Sequence, residues 1–208
     1  MKKKVDIKNI LIQNNTYLIF LALFIVCAVI SDSFLTVMNI RNIALQQAGP
    51  ICVVLGMLFV ILSGGIDLSV GSLMALGASS TAWLIVNQNM HFILAMIIAL
   101  IIGLLCGTFT GILVAYANFQ GFVASLSMMT IARGLALVIT NGSPIKMESG
   151  TLNSLVNKDY GYPILIIILV VIIALVLVQK FTAYGRIVIA LGSNIKAVEL
   201  AGIRVKKY

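Results

Sequence analysis

An all-α, polytopic membrane fold is predicted by three observations on the sequence. Hydrophobic residues make up 61% of the 208 positions and charged ones only 10%, with a mean hydropathy of +1.14, whereas soluble domains carry about a quarter charged residues. Several windows supply the roughly 20 mostly apolar residues that a helix needs to cross a hydrocarbon core. The formal net charge of +8 collects on one side of a single consistent topology. A soluble domain with a large core is excluded by residues 92 to 117, which offer almost no polar face.

Six spans are predicted: Thr16 to Ile30, Asn42 to Leu62, Ile66 to Val86, Phe92 to Ala117, Phe122 to Thr140 and Pro163 to Val178. The first and last are short. The first can borrow Phe34 and Leu35, and the last can extend through Lys180 by snorkelling. With both Met1 and Tyr208 cytoplasmic, the inner segments hold Lys2, Lys3, Lys4, Lys8, Lys180, Arg186, Lys196, Arg204, Lys206 and Lys207 against Asp6 and Glu199, a net of +8. The outer segments hold Arg41, Lys146 and Lys158 against Asp32, Glu148 and Asp159, a net of zero. This asymmetry obeys the positive-inside rule. It also excludes nucleic acid as the reason for the basic balance, because the bases flank spans and lack aromatic partners for stacking.

The charged start and apolar run of residues 1 to 30 resemble a signal peptide, but "SDSF" follows and another span comes directly after, so an uncleaved first span is expected. Cys27, Cys52 and Cys106 lie singly in apolar segments, and His91 stands alone in a short loop. Neither a disulfide framework nor a metal site is indicated, and no cofactor is expected. Phosphate-loop, zinc-protease and nucleophile-elbow motifs are lacking, as are paired carboxylates. The chain is therefore read as no enzyme, and any work it does is driven by a partner.

Small residues recur at helical spacing. Gly103, Gly107 and Gly111, continued by Ala115, give the fourth span a smooth side where another helix can approach, and Gly71, Ala75 and Ser79 do the same on the third. Between the second and third spans stands "ILSGGIDLSVGSLMALGA", residues 61 to 78. Gly64 and Gly65 free the backbone to leave the helix, and Asp67 or Ser69 can accept from the open amides of the helix that follows. Two readings stay open: a cytoplasmic hairpin with an Asp cap, or a broken element below the membrane surface that lines a polar path. Asp67 and Arg133 are the only charges of opposite sign placed within apolar segments. They either pair as buried charges or serve separately as a cap and a snorkelling cation.

Three blocks resemble one family. "GGIDLSVGSLMALGA" is similar to the signature of the inner-membrane permease subunits of ATP-binding cassette importers for ribose, xylose, arabinose and galactose. "GFVASLSMMTIARGLALVITNGSPI", residues 121 to 145, is similar to its "PFIxTLgxmxixRGlaxxxTxGxPI". "TAYGRIVIALGSNIKAVELAGIRV", residues 182 to 205, is similar to its "TxxGRxiyAxGgNxxAAxxsGIxV". Gly121, Ser125 and Thr110 depart from the usual Pro, Thr and Asn. The family's chains continue past this last block with further spans, so a truncated product or a part of a longer protein is expected.

The resemblance implies a membrane part, 1 to 180, and a cytoplasmic segment, 181 to 208, that couples to an ATPase. Independently of it, Ser193 or Asn194 can cap a short helix there and Gly202 can end it. "KAVELAG", with Lys196, Ala197 and Glu199, is similar to the importers' "EAAxxxG" pattern, whose short helix docks on the ATPase. An interfacial helix held on anionic lipid by Lys196, Arg204, Lys206 and Lys207 is the alternative. The family implies a multi-pass protein of the bacterial inner membrane that works with a separate ATPase subunit, an extracytoplasmic sugar-binding protein and a second permease copy. The signature residues Gly64, Gly65, Asp67, Ser69 and Gly71 are then expected near a monosaccharide path. A secondary transporter driven by ions or protons around Asp67, or a membrane scaffold, is the competing class. Such a carrier needs acids or histidines along its path, and this chain places only Asp67 there.

Overall fold

A computed structural model describes residues 14–147 and 161–208. The amino-terminal bases Lys2, Lys3, Lys4 and Lys8, with Asp6, lie outside the described residues, as do Glu148, Lys158 and Asp159. Among the described residues there are nine α-helices, a final 3-10 turn at Val205–Lys207 and no strand. The protein is an all-α polytopic membrane protein. It divides into two compact units, Met1–Gln47 and Ala48–Tyr208.

The first unit contains α1 (Asn15–Ile30) and α2 (Val37–Gln46). Helix α2 begins earlier than the predicted second span because Thr36 caps it, its Oγ1 accepting from the Asn39 amide at 3.3 Å. The Asn39 side chain in turn donates to the Phe34 carbonyl at 2.8 Å. These local bonds favour a helix start that hydropathy alone does not register.

The second unit holds α3 (Ala48–Leu62), α4 (Val70–Gln88), α5 (Phe92–Ala115), α6 (Gly121–Thr140), α7 (Tyr162–Phe181), α8 (Ala183–Ser193) and α9 (Ile195–Leu200). Helices α4 to α7 are each long and apolar enough to cross a membrane. The consecutive α2 and α3 add a fifth crossing if taken as one broken span, and the 16-residue α1 is a shorter apolar helix.

Helices α4 and α6 form the centre of this unit. Ser72, Leu76 and Ser80 line the buried side of α4, and Ser125, Met128, Ala132 and Ala136 that of α6. Leu76, Ala132 and Ala136 make the core cluster, against which Leu73, Ile102, Cys106 and Ile139 pack. Small side chains let the two backbones approach, which suits a lipid solvent where van der Waals contact rather than water exclusion drives association. The close-packing side of α4 is thus one residue away from the predicted Gly71, Ala75 and Ser79, of which Gly71 and Ala75 are exposed. Helix α5 buries only Ala95 and α7 only Ile168. Their outward leucines, isoleucines and valines are the face expected of a chain solvated by acyl tails.

Helix α3 packs against α7 and α8. The break between α7 and α8 is local: Thr182 caps α8 by accepting from the Gly185 amide at 3.3 Å, while its hydroxyl donates back to the Val178 carbonyl. Gly185 is buried there, and a Cβ would collide with the Gln179 backbone.

Candidate functional site

The double glycine ends α3 with a specific cap. Gly64 has φ +82, its amide donates to the Ile61 carbonyl at 3.0 Å and the Gly65 amide to that of Val60 at 2.9 Å. This pair of bonds around a left-handed residue is the Schellman stop. The chain then runs without regular structure to Val70. Asp67, half-buried, accepts at Oδ1 from both the Ser69 amide (2.7 Å) and the Ser69 hydroxyl (2.6 Å). Ser69, 1% exposed, makes no side-chain bond to the α4 amides. Asp67 therefore shapes the entry to α4 by fixing Ser69, a small Asx turn, rather than by capping the helix directly.

Two further segments meet this turn. From α6, the Ser125 hydroxyl donates to the Phe122 carbonyl at 3.2 Å and reaches that of Ile66 at 3.4 Å, and Gly121 faces the same Ile66 oxygen. From α8, Gly192 lies directly on the end of α3: a Cβ there would collide with the Leu62 carbonyl, and the Gly192 Cα lies 3.5 Å from where a Gly64 Cβ would stand. Sequence reading passed over Gly192. Its only signal is a glycine near a helix end, which ordinarily reads as a terminator and here marks a backbone-to-backbone contact.

The turn opens on a cavity of about 560 Å3. Gly65, Ile66 and Asp67 line one side, Gly107, Thr110 and Gly111 of α5 another, and Ile195, Glu199 and Lys206 a third. Lys206 also sits over the Tyr116 ring, 5.8 Å from its centroid, and Tyr208 stacks beside Tyr184. Among the described residues, nothing apart from α5's own backbone lies within 4 Å of a Cβ built at Gly103, Gly107 or Gly111. No helix of the described residues fills the predicted groove, and Gly107 and Gly111 face the cavity instead.

The segment after α8 carries a complete pair of caps. The Asn194 side chain accepts from the Ala197 amide at 3.1 Å, so Asn194 rather than Ser193 caps α9, and Ser193 ends α8. Gly202 has φ +79, and the Gly202 and Ile203 amides donate to the Glu199 and Val198 carbonyls at 2.9 and 3.3 Å. This is a second Schellman stop. Val198 is buried, whereas Lys196, Ala197 and Glu199 are exposed. Arg133 is exposed on α6.

Residues 39–208 match the family model for the permease component of branched-chain amino acid transport systems. The chain belongs to this family. Among its relatives are the ribose import permease protein of Bacillus subtilis, 37% identical over 212 residues and 99% of this chain, and that of Escherichia coli K12, 36% identical over 203 residues and 95% of it. The L-arabinose transport system permease protein of Escherichia coli K12 is 33% identical over 196 residues, 93% of this chain. The matches span 65%, 63% and 59% of those three proteins' own lengths. No solved structure gives a significant match. The three motif blocks that meet around the 560 Å3 cavity all fall within the part of the chain matched to the permease family.

Proposed function

We propose that this chain is the permease subunit of an ATP-binding cassette importer of the bacterial inner membrane, forming the path for a monosaccharide of the ribose type. Identity above 30% over nearly the whole chain to ribose and arabinose permeases supports the reading. The observation that carries it is the meeting of Gly192 with Leu62 and Gly64. The segment read as coupling to an ATPase is in backbone contact with the turn that lines the cavity, so a push on α9 has a short route to the path.

In this account residues 1 to 180 form the membrane part and 181 to 208 the coupling segment, with Asn194, Lys196, Ala197, Glu199 and Gly202 presenting α9 to the ATPase. Met1 and Tyr208 are cytoplasmic in this reading, which the one-sided positive charge supports. ATP hydrolysis resides on a separate subunit, and sugar arrives from an extracytoplasmic binding protein. A second permease copy completes the importer, and Gly103, with nothing within 4 Å of a Cβ there among the described residues, leaves room for a helix to approach.

Proteoliposomes carrying the assembled importer test this. Uptake of labelled D-ribose is expected only with both ATP inside and the binding protein outside. Uptake driven by a sodium or proton gradient without the ATPase would replace this reading with the secondary transporter.

A further inference from the structure

A smaller cavity, of about 370 Å3, lies between α4, α5 and α6, and no charged residue lines it. The 560 Å3 cavity differs in the wall that α9 and the residues after it provide. Ile195 and Glu199 of α9 line it, and so do Val205, Lys206 and Tyr208 beyond Gly202. The helix proposed to meet the ATPase is thus itself part of the cavity wall.

This wall is held by side chains. Gly202 turns the chain with φ +79, and the Ile203 amide completes the α9 stop by donating to the Val198 carbonyl. From Arg204 on, the backbone bonds only to itself: the Lys207 amide donates to the Arg204 carbonyl and the Tyr208 amide to that of Val205, both at 3.1 Å. Among the described residues, no hydrogen bond ties Arg204 to Tyr208 to another element. The Lys206 ammonium instead lies over the Tyr116 ring, 5.8 Å from its centroid. Tyr116 ends α5, the helix whose Gly107, Thr110 and Gly111 form another wall of the same cavity. The Tyr208 ring lies 5.9 Å from that of Tyr184 on α8, which lies 6.1 Å from Phe59 on α3. One lysine therefore joins two cavity walls that come from α5 and from the chain after α9.

A cation over an exposed aromatic ring attracts it enough to bias a position and weakly enough to part again. We propose that Lys206 and Tyr116 form a latch on this cavity. Engaged, it holds the wall of residues 195 to 208 against the end of α5. A push of the ATPase on α9 parts it and frees the sugar toward the cytoplasm, because Ile195 and Glu199 move with the helix that is pushed. The inference rests on the sugar-permease reading and adds the contact that sets its closed state. Lys206 and Tyr116 act here as positioning residues, through the wall that they hold.

The test uses the assembled importer in proteoliposomes, with native cysteines replaced. A Tyr116→Cys, Lys206→Cys pair bridged by a short reducible bis-thiosulfonate, with bridging confirmed by mass spectrometry, should stop D-ribose uptake and regain it on reduction. Each single variant treated alike should still transport. Lys206→Gln and Tyr116→Ala should raise ATP hydrolysis without binding protein about two- to fivefold, the effect of one lost cation–π contact. Lys206→Arg and Tyr116→Phe keep the cation and the ring and should restore the wild-type rate, which a role in folding alone would not predict. Failure of the pair to bridge, uptake through the bridged pair at the unbridged rate, or equal hydrolysis in Lys206→Gln and Lys206→Arg would each overturn the latch. With D-ribose uptake by the wild type intact, the permease reading would then stand. If the wild-type importer carries no monosaccharide, both fall together.

Discussion

The two cavities of the Ala48–Tyr208 unit treat their polar groups in opposite ways. Beneath the double glycine, the Asp67 carboxylate is occupied by Ser69, the Ser125 hydroxyl by the Phe122 carbonyl, and Gly64 and Gly192 meet backbone to backbone. Between α4, α5 and α6, Ser80 is buried with its hydroxyl unmet. A wall whose polar groups satisfy one another behaves as framework, and moves or holds as a unit. The turn at the first cavity therefore reads as framework although it contains the acid.

This contrast can be broken in graded ways. The largest effect is expected from Gly192→Val, since a side chain there must push α8 off the Leu62 carbonyl. Overpacking against backbone costs about 1–3 kcal/mol, and the displaced contact should stop uptake while membrane insertion, followed by cell fractionation, remains normal. Gly202→Val strains a left-handed residue by about 1–2 kcal/mol and misdirects the chain after α9, so co-purification of the ATPase should weaken. Asp67 sharpens the framework reading. Asp67→Ala removes the acceptor for Ser69 and should lower thermal stability by about 1 kcal/mol, whereas Asp67→Asn keeps an oxygen in place and should transport sugar nearly as well as the wild type. Loss of uptake in Asp67→Asn would show that the charge itself is used. The smallest effect is expected at Lys196, exposed on α9, where alanine should change stability by less than about 0.5 kcal/mol.

Much of this architecture was legible in the sequence. Long apolar windows located α4 to α7 to within a few residues, since a span is a property of composition summed over about 20 positions. The glycine stops at Gly64 and Gly202 and the Asn194 cap were also readable, because caps are local chemistry. Positions decided by which side of a helix meets a neighbour were not. The buried stripe Ser72, Leu76 and Ser80 lies one residue from the glycine-bearing stripe that was expected to pack, and both have the same spacing. The start of α2 at Thr36 and the separate helix α8 were missed because side-chain caps, not hydropathy, set their limits. Gly192 became visible only through a partner distant in sequence, the α3 end.

The central claim is that the coupling segment and the Asp67 turn form one mechanical unit joined at Gly192. It is tested most directly by ATP hydrolysis in the assembled importer, measured with and without sugar-loaded binding protein, for the wild type and Gly192→Val. The ATPase should co-purify with both. Loaded binding protein should stimulate hydrolysis in the wild type and fail to do so in Gly192→Val. Stimulation and sugar uptake at wild-type levels in that variant would contradict the claim, because the contact through which α8 is said to act on the turn would be dispensable.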